Sequence, residues 1–131
     1  MKCLDTSILI DAMKDRSGAR RAVEAAAEGG VATTEINVFE VYVGAYREGR
    51  SIPREIQAIE RGLGGIDVLP LTRSATLRAA SLTSLLRSRG QEVGTLDVLV
   101  AGIAMAHDID TIVTSDDRHF GRIPGIRVET Y

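Results

Sequence analysis

The sequence predicts an α/β fold of three layers, with a central parallel sheet of about five strands flanked by helices. Three observations predict it. Short apolar or β-branched runs alternate with helical stretches along the whole chain, the order expected of parallel strands joined by helical crossovers. No internal repeat, low-complexity tract or linker divides the 131 residues, so residues 1–131 read as a single domain, large enough to bury roughly two-thirds of its unfolded surface. The composition, 44% hydrophobic and 26% charged, is that of an ordinary globular protein and not of a disordered tail.

The opening stretch sets the pattern. Met1, Cys3 and Leu4 make a short apolar strand that ends at Asp5; Thr6 and Ser7 follow, and Ile8, Leu9, Ala12 and Met13 then recur at helical spacing. Ligands of open α/β sheets gather outside the carboxyl ends of strands, which is where Asp5 falls. The competing local reading is that Asp5, Thr6 or Ser7 caps the helix. Arg20 to Glu28 reads as a small alanine-rich helix stopped by Gly29 and Gly30, and Val31 to Thr34 as the next strand. In the helix Glu35 to Glu48, Ile36, Phe39, Val43 and Tyr46 form the predicted inward stripe. Glu40 lies at the edge of that stripe, where an unpaired carboxylate is expensive, unless it snorkels to water or pairs with an arginine such as Arg47. On this phase Val38, Val41 and Tyr42 lie outward, and together with Arg54 to Gly64 they make the expected partner surface, which runs as far as Arg50 along the preceding helix.

The middle of the chain reads as scaffold. Pro53 suits the first turn of a short helix over Glu55 to Leu63, Ile66 to Leu71 reads as a strand interrupted at Pro70, and Thr72 to Ser88 as a long helix burying Leu77, Leu82, Leu85 and Leu86. From Leu96 to Ala106 every residue except Asp97 is apolar or glycine, the mark of an interior helix, with Thr95 as its expected cap. Asp97 falls in the first turn, where the helix dipole favours an anion; the dipole does not explain why an acid begins the most buried helix. Thr111 to Thr114 repeats the opening logic, a β-branched strand delivering Thr114, Ser115, Asp116 and Asp117 at its carboxyl end, with a cap for a short helix toward Phe120 as the local alternative. Arg127 to Glu129 closes the chain as a short strand.

Composition excludes several classes. No apolar run approaches the ~20 residues of a membrane span, and no basic region precedes an apolar one at the N-terminus, so the expected location is cytoplasmic. The single Cys3 reads as a core residue, and Cys3, His107 and His119 lack the close spacing of zinc ligands. The net charge of −2 argues against a basic nucleic-acid binder, yet all of the 16 basic residues except Lys2 and Lys14 are arginine, the side chain best shaped to grip phosphate. Setting four acids aside as a neutralised metal site turns −2 into +2 for the remaining surface. The alternative is that these arginines line solvated helix faces.

Taken together the acids suggest one site. Asp5 and Asp116 end strands, Asp97 begins a buried helix and Glu40 lies on a helix flank, so all four can converge on one rim of a small parallel sheet. Clustered carboxylates raise one another's pKa unless a cation sits among them, and an all-oxygen donor set suits Mg²⁺ or Mn²⁺, which assist phosphodiester hydrolysis.

These segments resemble a known family. Asp5-Thr6-Ser7, the glutamate of Glu35-Ile36-Asn37-Val38-Phe39-Glu40, Gly94 to Ala101 and Thr114 to Phe120 are similar to the four acidic motifs of PIN-domain ribonucleases, and their order and spacing resemble the VapC toxins of toxin–antitoxin pairs. The resemblance covers essentially the full length. It implies a PIN-like three-layer fold and a Mg²⁺- or Mn²⁺-dependent endoribonuclease, a homodimer restrained by a VapB-type antitoxin. Asp5, Glu40, Asp97 and Asp116 become the catalytic and metal-site acids, with Thr6, Ser7 and Thr114 as hydroxyl neighbours. Asp116 and Asp117 are adjacent and either fits the fourth position; Asp116 is preferred as nearer the strand end.

Rival classes fare less well. A phosphoaspartyl phosphatase wants a second acid where Ser7 stands, and a receiver domain wants a lysine near its last strands, where none exists beyond Lys14. A non-catalytic RNA-binding or scaffolding PIN domain is the stronger rival, and its signature would be a missing acid. The expected mechanism is hydrolytic and metal-assisted, with no histidine base; the ring of His119 is expected only to pack or to face solvent.

Overall fold

The computed structural model describes residues 1–47, 49 and 51–131. Among them the elements run β1 (Lys2–Leu4), α1 (Thr6–Met13), α2 (Ala19–Ala27), β2 (Val31–Thr34), α3 (Glu35–Arg47), α4 (Ile52–Gly62), β3 (Asp67–Leu69), α5 (Arg73–Ser88), α6 (Thr95–Ala106), β4 (Thr111–Val113), α7 (Asp117–Phe120) and β5 (Arg127–Glu129). The strands form one five-stranded sheet in the order β3-β2-β1-β4-β5. Every pairing is parallel, with Cys3 opposite both Ala32 of β2 and Ile112 of β4. The predicted α/β sheet with flanking helices is what the chain forms.

Alternation along the strands builds the layers. Successive strand residues point to opposite faces, so Cys3, Ala32 and Ile112 join one core with Leu82 and Leu86 of α5 and Val98, Val100, Ala101 and Ala104 of α6. Leu4, Val31 and Val113 join a second core with Ile8 and Leu9 of α1, Val38 and Val41 of α3 and Ile59 of α4. Cys3 is fully buried, and burial pushes its thiol up to about 12, so it remains a neutral core side chain.

Helix phasing departs from the sequence reading in two places. In α3 the buried residues are Asn37, Val38, Val41 and Ala45, whereas Phe39 and Tyr46 are exposed. The predicted stripe is therefore rotated: smaller side chains face the core, and a hydrogen-bonded amide takes a position that an apolar count assigns to solvent. In α5 the inward side is Ala75, Ala79, Leu82 and Leu86, while Leu77 and Leu85 are exposed. Close packing of α6 explains this, since a Cβ at Gly102 would lie 2.8 Å from the Ala75 carbonyl oxygen and 3.0 Å from the Ala79 Cβ. Only small residues on α5 fit there.

Boundaries shift modestly. Ser51 precedes α4, with Pro53 in its first turn, so this helix starts three residues before the predicted Glu55. β3 keeps only the centre of the predicted 66–71 strand. Thr95 lies inside α6 and Gly94 takes the cap position without a side-chain bond, correcting the expected threonine cap. The predicted helix end at Glu48 lies outside the described residues. No helix of the described residues is long and apolar enough to cross a membrane.

Candidate active site

β1 is the point where the sheet reverses its order: β2 and β3 extend to one side and β4 and β5 to the other. Parallel sheets open a crevice beyond the strand ends at such a point. Asp5 stands there. Its amide donates to the Val113 carbonyl at 3.0 Å, continuing the β1–β4 ladder one step past the strand.

Asp5 occupies the residue before α1, but its side chain makes no capping bond to that helix. The capping alternative therefore fails. One carboxylate oxygen, Oδ1, accepts from Asn37 Nδ2 at 3.1 Å; the other, Oδ2, accepts from Thr114 Oγ1 at 2.7 Å, with Ser7 Oγ at 3.5 Å. Ser7 Oγ in turn lies 3.2 Å from Thr114 Oγ1 and accepts from the Ser115 amide at 3.0 Å. The hydroxyl residues at the ends of β1 and β4 thus tie the two strand ends together across the crevice.

Glu40 enters from α3 and does not pair with Arg47. Its Oε2 accepts from Thr6 Oγ1 at 2.5 Å, and Thr6 Oγ1 itself accepts from Asn37 Nδ2 at 3.0 Å. Partial burial raises the Glu40 pKa; the Thr6 bond opposes this, and the charges of Asp5 and Asp97 add to the rise. Asp97 comes from the first turn of α6. Burial and the Asp5 charge raise its pKa, His119 works against them, and Asp116 adds a smaller increase. His119 Nδ1 lies 2.9 Å from Asp97 Oδ2, so the expectation of a ring that merely packs or faces solvent is corrected.

Asp116 behaves differently. It caps α7, accepting from the Arg118 amide at 3.0 Å, and the same arginine grips it with Nε at 3.1 Å and Nη2 at 2.9 Å. Those bonds hold its pKa down at about 2. For Asp116 the local capping alternative is present in full. Asp117, its neighbour, is exposed, and Asp116 is the one of the two whose charge bears on Asp97.

Three acids, Asp5, Glu40 and Asp97, therefore meet at one place: the charge of Asp5 bears on both Glu40 and Asp97, that of Asp97 on Glu40, and Asp116 lies at the edge of the group. Among the described residues neither lysine nor arginine forms an ion pair with any of the three. No set of three histidine, cysteine or acidic side chains closes tightly enough to enclose an ion as the side chains stand, again among the described residues. The donor chemistry nevertheless fits a hard divalent cation: Asp5, Glu40 and Asp97 are half-buried oxygen ligands, with hydroxyls beside them and no thiolate. Asp116 would have to leave Arg118 to join them.

A five-stranded parallel sheet flanked by helices, with acids gathered at its switch point, defines the class as a three-layer α/β fold. More particularly, the PIN domain pattern matches residues 2–126, and the chain belongs to the PIN-domain family. It is 30% identical over 129 residues to a tRNA(fMet)-specific endonuclease VapC of Shigella flexneri, covering 98% of this chain and 96% of that protein. Among solved structures, DNA-bound VapBC from Salmonella typhimurium is similar at 28% identity with a TM-score of 0.84, over 98% of this chain and 96% of that one. The fold is also that of VapBC2 from Rickettsia felis, at 23% identity and a TM-score of 0.87, over 99% and 98%.

Two residues escaped the sequence reading. Asn37 was hidden by the misplaced α3 stripe, although a polar residue three before Glu40 and three after Thr34 is a visible signal. Tyr131 donates to Asp11 Oδ2 at 2.7 Å; burial, together with Asp11, pushes its phenol up to about 12. Nothing in the local sequence pairs position 131 with α1.

The raised acids make a stability prediction. Folded protein holds the Glu40 and Asp97 protons more tightly than the unfolded chain, so their contribution is fully present below the ordinary carboxylate range and is lost as pH rises through their raised values. Asp110 and Asp116, whose pKa values are lowered, contribute above that range and lose their contribution as pH falls through those lowered values. Metal-free protein should therefore melt higher near pH 5 than at pH 7.5 and lose stability again in stronger acid. Asp97→Asn should raise the melting temperature in EDTA at pH 7.5 by a few degrees, on the order of 1 kcal/mol, and flatten this dependence. A lower melting temperature for Asp97→Asn would contradict the repulsion.

Proposed function

We propose that this chain is the toxin of a type II toxin–antitoxin pair, a Mg²⁺- or Mn²⁺-dependent endoribonuclease. The observation that carries the reading is the meeting of Asp5, Glu40 and Asp97 at the sheet's switch point with their charges uncompensated by lysine or arginine. Asp5, Glu40, Asp97 and, once released by Arg118, Asp116 would hold the ion. When bound, it would supply Lewis-acid assistance to water and to the leaving oxygen of a phosphodiester.

The chain's own groups do the rest. Asp5 is held at both oxygens by Asn37 and Thr114, so its direction is fixed before substrate arrives. Thr6 turns Glu40 toward the same crevice. His119 holds Asp97, leaving its other oxygen to the site. Arg118 lies on the rim, where its guanidinium can exchange Asp116 for an RNA phosphate. Because water is the nucleophile, products carry 5′-phosphate and 3′-hydroxyl ends. A tRNA, tRNA(fMet) first among them, is the substrate class to test, since relatives in Shigella flexneri and Salmonella typhimurium are named for it.

A VapB-type antitoxin is the proposed partner, with a homodimer as the assembly and the cytoplasm as the location. A groove of about 590 Å³ lies between α1, α2, α3 and α4, floored by Leu9, Val41, Ala45 and Ile59 and edged by Ala58 and Gly62. An amphipathic antitoxin helix suits such a groove, and several similar structures are of VapBC complexes. This revises part of the expected partner surface: Val38 is buried in the fold, while Val41, also mostly buried, lies on the groove floor, so the apolar side is the groove and not the back of α3. The stretch Arg54 to Gly64 remains part of it, while Arg50 lies outside the described residues.

Purified protein should cleave tRNA with Mn²⁺ and stop in EDTA. Asp5→Ala and Asp97→Ala should each lower the rate by roughly two orders of magnitude or more, and His119→Ala by about tenfold with unchanged ends. A 2′,3′-cyclic phosphate product, or cleavage undiminished by EDTA, would overturn the mechanism. For the partner, Ala58→Arg should abolish co-purification with the antitoxin encoded beside this chain while leaving the melting temperature within about 1 °C. Undiminished co-purification would place the antitoxin elsewhere.

A further inference from the structure

Asn37 is fully buried at the start of α3, and its side chain is bonded at every donor. Thr34 Oγ1 donates to Asn37 Oδ1 at 2.7 Å and accepts from the Asn37 amide at 3.2 Å, which completes the beginning of the helix. The helix therefore needs nothing from Nδ2. Both Nδ2 hydrogens go to the crevice instead, one to Asp5 Oδ1 at 3.1 Å and one to Thr6 Oγ1 at 3.0 Å.

The directions of these bonds are fixed by their chemistry. The Thr34 hydroxyl proton binds Asn37 Oδ1, so the amide cannot turn over without setting its oxygen against the Asp5 carboxylate. With Asn37 donating to the Thr6 oxygen, the one Thr6 proton is left for Glu40. One neutral amide thus aims two acids from different elements, Asp5 after β1 and Glu40 on α3. It does so without adding a charge that would compete with an ion.

We propose that Asn37 is a positioning residue for the divalent cation, acting through Asp5 directly and through Thr6 on Glu40. This rests on the metal-dependent reading above. A structural role alone would make Asn37 important for stability only; the positioning role makes it important for metal affinity beyond its effect on stability.

Thr33 separates the two. It is equally buried and its hydroxyl donates to the Leu4 carbonyl at 2.8 Å, but it bonds none of the site side chains. Mn²⁺ binding to full-length protein, followed by electron paramagnetic resonance and calorimetry, should weaken about 10- to 100-fold in Asn37→Ala and less in Asn37→Ser, which keeps one donor. Thr33→Val should lose stability and keep the wild-type Mn²⁺ affinity. Wild-type affinity in Asn37→Ala would overturn the proposal, as would a loss in Thr33→Val matching that of Asn37→Ala. Should Asn37→Ala fail to fold, Asn37→Ser decides: wild-type affinity there has the same meaning. If wild-type protein binds no Mn²⁺, the metal reading fails and takes this proposal with it; if wild type binds and the Asn37 variants bind equally, only the proposal fails.

Discussion

Repulsion among half-buried carboxylates is the constraint on which the site depends. Burial alone would raise the pKa of Glu40 or Asp97, and the charge of Asp5 raises both further. A fold selected for stability would place a lysine or arginine among them, as it does at Asp110, where Arg127 Nη2 reaches both carboxylate oxygens at 2.8 and 3.0 Å. The crevice instead has Asn37, Thr6, Ser7 and Thr114 as neutral donors, with His119 on Asp97. Such groups fix the direction of a carboxylate while leaving its charge available to a cation.

The scaffold brings those groups together through strand order. β1 is central, its carboxyl end faces the gap between the two halves of the sheet, and β4 delivers Thr114 beside it. α3 follows β2 with no intervening loop, so Thr34 starts the helix and Asn37 and Glu40 fall one and two turns along it. α6 can set Asp97 over the same gap because glycine at 102 lets it lie against the small residues of α5. Each acid is thus placed by an element whose other face is core, which limits how far the acids can move apart.

Much of this was legible in the sequence, for identifiable reasons. Strand-ending acids and hydroxyls are local patterns, so Asp5, Thr6, Ser7 and Thr114 could be read from the order of residues alone. Alternation of short strands and helices likewise gave the architecture. The phase of α3 could not be read in this way, because counting apolar residues favours Ile36, Phe39, Val43 and Tyr46, whereas the helix buries a satisfied polar amide beside smaller side chains. The pairing of His119 with Asp97 and of Tyr131 with α1 joins residues 22 and 120 positions apart, and no local pattern carries that information. Asp116 shows the opposite limit: motif order selects it as a site acid, yet its carboxylate is engaged by Arg118 in a bond that a reading of order does not anticipate.

Asp5, Glu40 and Asp97, which no lysine or arginine among the described residues pairs with, are proposed to form a single cation site. Anomalous diffraction from crystals of this chain soaked in MnCl₂ tests it most directly. A manganese peak is expected at bonding distance from Asp5 and from at least one of Glu40 and Asp97, with Asn37 still bonded to Asp5. Manganese confined to exposed acids such as Asp15 or Asp67, with the crevice free of anomalous signal at saturating MnCl₂, would contradict it.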